Sequence, residues 1–218
     1  MAKQVEWGIA IPQDFADGPV DMKLIHKYSK RAEELCFQSM WVQEAIVGDA
    51  PVLEPLSLLS NVAALTDKVR LGTSVIVAPL RNPVQLAKIL GSMDQLSNGR
   101  LIVGLGLGGR MGHYLPLGIS SEKRVRRFVE IMDVMKALWT EPEAWYKGQF
   151  WQLEGTSMEP KPVQKPHPPI VLGARHPSAL RRAVRHADGW MGAGASSTAQ
   201  FIDGVGHAQK YLEEAARD

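Results

Sequence analysis

Residues 69–107 read VRLGTSVIVAPLRNPVQLAKILGSMDQLSNGRLIVGLGL, and this stretch decides the fold. Val69–Val77 is short, apolar and rich in β-branched residues, as a strand buried on both faces should be. Asn82-Pro83 supplies an N-cap and a first-turn proline, which predicts a helix running to about Leu96. Asn98-Gly99 then turns the chain into a second apolar strand, Arg100–Leu107. Two near-continuous apolar strands joined by a helix make a βαβ unit, so the strands lie parallel.

The same alternation extends in both directions. Val5–Pro12 reads as a strand, Asp21 opens an amphipathic helix through about Phe37, Ser39–Ala45 is a strand, and Glu54 to Thr66 a helix. After residue 107 come a helix over Glu122–Trp139, a small hairpin within 143–154 around Lys147-Gly148, and a proline-rich stretch, Pro160 to Pro169. Ile170–Gly173, Pro177–Ala187, Gly189–Gly194 and Thr198–Arg217 complete the series as strand, helix, strand, helix. The class is α/β, and the choice lies between an open doubly wound sheet and a (β/α)8 barrel. Six β/α units are visible where a closed barrel needs eight, and no closing strand follows the last helix. The expectation is a single domain over 1–218.

Composition narrows the partners. With 25 Lys+Arg against 23 Asp+Glu the formal net charge is +2, without the basic block a dedicated nucleic-acid binder uses to neutralise phosphates. The single cysteine, Cys36, cannot form an internal disulfide, and it reads as packing rather than as a nucleophile. No apolar run approaches the roughly 20 residues that span a bilayer, and the N-terminus lacks the apolar segment of a secretory signal. A cytoplasmic protein is expected, with no nucleic-acid or membrane partner. No His/Cys cluster has metal-ligand spacing, and no Gly-x-Ser-x-Gly elbow points to a serine hydrolase.

Four segments together resemble one family. They are AEELCFQSMWVQEA (32–45), EPLSLLSNVAALTDKVRLGTSVIVAPLRNPVQLAKILGSMDQLSNGRLIVGLGLGG (54–109), RRFVEIMDVMKALWTEP (126–142) and GQFWQLEGTSMEPKPVQKPHPPIVLGARHPSALRRAVRHADGWMGAG (148–194). They are similar to the luciferase-like flavin oxidoreductases (bacterial luciferase-like monooxygenases), particularly the branch that uses the deazaflavin coenzyme F420. The resemblance implies a (β/α)8 TIM-type barrel with an insertion before the fifth strand, a place that residues 143–169 fill, and with the last two β/α units absent from this chain. It implies a flavin-dependent oxidoreductase: two-electron hydride transfer with F420 on a small organic substrate, or alternatively an FMN-dependent monooxygenase or a non-catalytic flavin-binding protein from a shortened barrel.

Barrel enzymes keep their chemistry at the carboxyl ends of the strands, which supplies the positions to inspect. Many F420-using relatives carry an Asp-His pair where this sequence has Glu44 and Ala45. Glu44 keeps the carboxylate, either to work as a proton relay or to pair with a loop group, while Ala45 lacks the imidazole. His113, in the loop after strand four, is the substitute acid–base candidate; the plain alternative is a solvated loop histidine. By resemblance, a bulge at Thr73, Ser74 and Val75 with a cis Ser74-Val75 peptide backs the flavin ring; the plain alternative is an ordinary trans strand.

Residues 104–110, GLGLGGR, make a weak dinucleotide fingerprint, because no helix opens directly after them. As a strand end, Gly106, Gly108 and Gly109 would let backbone approach a cofactor, with Arg110 in the loop over the site. The loops Gly173-Ala174-Arg175 and Gly192, Gly194, Ala195, Ser196 each precede a helix, and helix N-termini attract phosphate. Turn-and-cap chemistry is the plain alternative for both; with two such loops in one barrel, phosphate binding is the expectation. Trp7 and Trp41 are candidates to wall the ring pocket. In a sheet this short, strands one and six are edges with unpaired backbone groups, so a homo-oligomer, in the simplest case a dimer, is expected.

Overall fold

The protein is described from a computed structural model, over residues 5–16, 18–109, 114–192, 194 and 196–217. The elements in chain order are β1 (Gly8–Ala10), α1 (Met22–Glu34), β2 (Ser39–Val42), α2 (Pro55–Ala63), β3 (Arg70–Thr73), β4 (Ile76–Val77), α3 (Pro83–Leu96) and β5 (Leu101–Gly106). They continue with α4 (Arg124–Thr140), β6 (Ala144–Lys147), β7 (Gln152–Thr156), β8 (Ile170–Gly173), α5 (Pro177–His186), β9 (Gly189–Met191) and α6 (Thr198–Glu214). The main sheet runs β1-β2-β3-β5-β8-β9 with every pairing parallel, and β4 adds a short second pairing to β5. This is the curled, helix-covered parallel sheet of the barrel class, with six strand units.

The helix-covered face follows from alternation along the strands. Met40, Val42, Leu71, Val103, Leu105, Ile170 and Leu172 are buried there with Ile25, Leu59, Leu90 and Ile131 from the helices. Burying each such side chain contributes roughly 1.5–3 kcal/mol, so this layer carries the fold. Trp41 points to the other face. Its ring lies over two glycines, since a Cβ on Gly72 would sit 2.4 Å from it and one on Gly8 2.7 Å.

Two boundaries differ from the sequence reading. β2 stops at Val42 rather than Ala45, because the Gln13 side chain takes over the next peptide. Gln13 Oε1 accepts from the Gln43 amide at 2.6 Å, and its Nε2 donates to the carbonyls of Gln43 (2.7 Å) and Leu53 (2.9 Å). Cys36 is exposed just past α1 at φ 61°, so it does not pack in the core as expected.

The insertion is clamped to helices α4 and α3 by two buried carboxylates. Glu130 on α4 accepts from the Gln149 and Phe150 amides at the hairpin turn, each at 2.9 Å, and from Arg126 Nε at 2.7 Å. Burial alone would raise the Glu130 pKa, but these donors outweigh it and hold the group below the ordinary carboxylate range. Asp94 on α3 accepts from the Gln164 amide at 2.9 Å and from its Nε2 at 2.7 Å. At the amino ends of the strands, Arg100 spends its fork on the carbonyls of Ala63, Thr66, Val69 and Ser97.

Candidate active site at the carboxyl ends of the strands

The site begins with a bulge. Gly72 pairs with Ile102 and Ile76 with Leu105, so four steps on one strand oppose three on the other. The Thr73 hydroxyl fills the gap by donating to the Gly104 carbonyl at 2.8 Å and accepting from its amide at 2.9 Å. Thr73 is fully buried, so it shapes the bulge and presents no surface to a ligand. The Ser74–Val75 peptide is cis, the geometry the resemblance implied, and Ser74 N–H and Oγ both reach the Val42 carbonyl, at 2.7 Å and 3.2 Å.

Val75 is half-buried and lies between Gly106 and Gly173. A Cβ on Gly106 would meet Val75 Cγ2 at 2.4 Å, and one on Gly173 would meet Cγ1 at 3.0 Å. Gly108, at φ +75°, sits the same way beneath Val77, where a Cβ would come to 2.6 Å. The glycines therefore make room for the valines of the bulged strand, and the valines form the outer surface at the strand ends.

Glu44 is held on both oxygens. Oε2 accepts from the Val77 amide at 2.6 Å, and Oε1 accepts from Arg81 Nε at 3.0 Å and from Arg81 Nη2. Arg81 also donates to Glu54 Oε1 at 3.1 Å, while Glu54 Oε2 accepts from the Ser57 amide and caps α2. Only 1% of the Glu44 side chain is exposed. Burial would lower the Arg81 pKa, yet the two carboxylates hold it above its ordinary value. Of the two roles weighed for Glu44, pairing with a loop group is the one the geometry fits: it positions the 76–77 strand. A cavity of about 450 Å³ opens beside it, lined by Glu44, Ala45, Asp49, Val77, Gly108 and Gly109 among others. Among the described residues that line it, Asp49 is the titratable side chain with no hydrogen bond or ion pair.

The two loops expected to hold phosphate differ. At α5, Pro177 has no N–H, the Ser178 amide donates to His176 Nδ1 at 3.4 Å, and the Ala179 amide donates to the His176 carbonyl at 2.8 Å. That helix start is closed by its own cap. Ala174 is buried, its amide donating to Met191 and its carbonyl accepting from Trp190 Nε1 at 2.7 Å. At α6, Ser197 and Gln200 form a capping box that leaves the Thr198 and Ala199 amides without an acceptor among the described residues. Arg175 is exposed, and Gly192 packs beneath Phe201, where a Cβ would come to 2.7 Å. Gly194 is exposed with nothing within 4 Å of a Cβ, and Ser196 is half-buried.

Arg110, His113 and Ala195 lie outside the described residues. Trp7 is 68% exposed ahead of β1, at the amino end of the sheet, so it does not wall this site. A larger cleft of about 680 Å³ also opens at that far end, near Glu33, Gln38 and Arg70, where barrel folds carry stability rather than chemistry. Sequence reasoning missed Arg81, Glu54, Gln13 and Tyr114; the last is buried, with its hydroxyl donating to the Leu107 carbonyl at 3.0 Å. Arg81 and Glu54 had local signals only, a cation before Asn82-Pro83 and an acid before Pro55.

The profile of the luciferase-like monooxygenase family matches residues 7–218. The chain is 34% identical over 134 residues to the oxygenase component of flavin-dependent trigonelline monooxygenase from Acinetobacter baylyi, covering 61% of this chain and 37% of that protein. It is 30% identical over 209 residues to the F420-dependent glucose-6-phosphate dehydrogenase of Amycolatopsis mediterranei, covering 91% of this chain and 61% of that enzyme. The chain thus spans roughly half the length of the curated relatives it matches. Among solved structures, the monooxygenase RslO1 from Streptomyces bottropensis superposes with a TM-score of 0.86 at 24% identity, over 98% of this chain and 68% of that one. No helix among the described residues is long and apolar enough to cross a membrane.

Proposed function

Because the chain belongs to the luciferase-like monooxygenase family, we propose that it is an F420-dependent oxidoreductase that transfers a hydride to or from a small organic substrate. The observation that carries this reading is the bulge at 73–77, which presents Val75 on a floor of Gly106 and Gly173. An apolar, half-buried valine on a glycine floor fits the back of a planar ring, and a Cβ at either glycine would displace it. When bound, the deazaflavin supplies the two-electron acceptor or donor of the reaction.

The chain's own residues have separable tasks. Val75 and Val77 would bear on the ring, and Glu44 keeps the Val77 segment in place through the amide it holds at 2.6 Å. The Thr198 and Ala199 amides, with Arg175, would hold the phosphate, since free helix N-terminal amides and a guanidinium favour an anion. Proton transfer falls to a group other than Glu44, whose oxygens are both engaged. Asp49 on the cavity wall is the base within the described residues, and His113 remains the imidazole candidate. Ala45, which leaves no imidazole in the loop after β2, favours FMN as the second reading. We further propose self-association across the outer strands β1 and β9; a monodisperse monomer in light scattering at low micromolar concentration would overturn that part.

Titration calorimetry of the purified chain with F420 and with FMN tests the main reading. F420 binding that weakens in Arg175→Gln and Val75→Ala is the expected result. Binding of FMN alone moves the protein to the monooxygenase reading, and binding of neither overturns both.

A further inference from the structure

A third cavity, about 340 Å³, lies on the other side of the 78–80 turn from the strand-end cavity. Arg81, Asn82, Ser120, Arg127, Phe150 and Trp151 contribute to its lining. Its two arginines are not equivalent. Arg81 is neutralised by Glu44 and Glu54. Arg127 gives one N–H to the Ser120 carbonyl and stacks 4.6 Å from the centre of the Phe150 ring, and no carboxylate among the described residues pairs with it. A guanidinium carries five donors in a planar fork, so most of that fork is unspent.

The Trp151 indole also lines the cavity, while its Nε1 lies beneath the surface with no acceptor among the described residues. Pro79, Phe150 and Trp151 make the remaining surface apolar and flat-sided. One uncompensated guanidinium against an aromatic face, in a space at the lower end of small-molecule sites, selects for size and charge together. The guanidinium fork matches a carboxylate in bidentate geometry, which a halide or a bulky cation cannot exploit.

We propose that this cavity binds a small planar aromatic carboxylate, its anion on Arg127 and its ring against Phe150 and Trp151. The site is separate from the strand-end cavity and does not depend on which cofactor binds there.

Benzoate is the probe. In the 15N-labelled chain, titration should shift the Trp151 indole N–H signal, identified by its loss in Trp151→Phe, to saturation. Benzamide, the uncharged counterpart, should bind about tenfold more weakly or worse, as loss of a charge-assisted contact predicts. Arg127→Met should weaken benzoate by a similar factor without changing benzamide, and Arg127→Lys should fall between, keeping the charge but not the fork. If Arg127→Met proves unfolded by circular dichroism, the benzoate–benzamide comparison and Arg127→Lys decide the matter. No saturable shift at Trp151, or a shift indifferent to the ligand's charge or to Arg127, overturns the proposal.

Discussion

Thr73 and Gly104 are joined twice through one side chain: the threonine hydroxyl donates to the glycine carbonyl at 2.8 Å and accepts from its amide at 2.9 Å. The backbone ladder between β3 and β5 covers Leu71–Leu101 and Gly72–Ile102 and goes no further. The hydroxyl therefore satisfies both backbone polar groups of Gly104 that the departing strand leaves behind. That substitution lets residues 74 and 75 leave the ladder before pairing resumes at Ile76.

Gly104 tolerates no side chain in this arrangement. A Cβ there would lie 1.6 Å from the Thr73 carbonyl oxygen, which is backbone and cannot rotate aside. Gly104→Ala should cost more than about 3 kcal/mol, or prevent folding altogether. Gly109 has nothing within 4 Å of its Cβ position, so Gly109→Ala should change stability by less than about 0.5 kcal/mol. Urea denaturation midpoints of the two variants check the contrast, and equal midpoints would refute the packing argument.

Acid should loosen the insertion first. The folded Glu130 carboxyl sits below its ordinary value: burial opposes this, but Arg126 and the Phe150 and Gln149 amides outweigh it. A depressed folded pKa means the stabilisation is complete above the unfolded carboxylate value, near 4.3, and is lost as pH falls through the lower folded value. Glu33, which accepts from the Asp67, Lys68 and Val69 amides, shifts the same way and adds to the same acid limb. Glu130→Gln should lower the plateau at neutral pH and flatten the decline below about pH 4.5. Thermal denaturation of both proteins from pH 3 to 7 reads this out; parallel curves would exclude Glu130 as a titrating contributor.

The order of strands and helices was legible because each depends on neighbours in sequence. The apolar run at 69–77 and the Asn82-Pro83 cap both appear where they were read, although the run divides at the bulge into β3 and β4. What lay beyond reach was contact across the fold. Glu44 and Arg81 are separated by 37 residues, and no periodicity links them. The glycines at 106 and 108 were read as points where backbone approaches a cofactor. The side chains a Cβ there would meet are Val75 and Val77, and only the one-residue offset between the β3–β5 and β4–β5 pairings reveals that. At α5 a sequence does not display that the His176 ring and carbonyl accept from the Ser178 and Ala179 amides.

Glu44→Gln separates charge from shape. The glutamine can still accept from the Val77 amide, but it leaves Arg81 with Glu54 as its remaining carboxylate. Weakening a pair this buried should cost about 1–3 kcal/mol, less than full loss of a partner because Glu54 persists. Glu44→Gln together with Arg81→Met removes both charges and should recover part of that cost, as a double-mutant cycle would measure. Strict additivity of the two substitutions would mean that the pair is not coupled.

The bearing of Val75 on Gly106 is the sharpest test of the cofactor reading, because it predicts a rescue. A Cβ at residue 106 would fall 2.4 Å from Val75 Cγ2, and a valine has little rotamer freedom with which to escape. Gly106→Ala should therefore push the valine off its floor and weaken whichever cofactor binds by about tenfold or more. Val75→Ala removes the colliding methyls, so Gly106→Ala in that background should meet no clash and bind no worse than Val75→Ala alone. Cofactor titrations on the wild type, both single variants and the double variant complete the cycle. A double variant weaker than either single would show that Gly106 acts on the cofactor by some route other than the position of Val75.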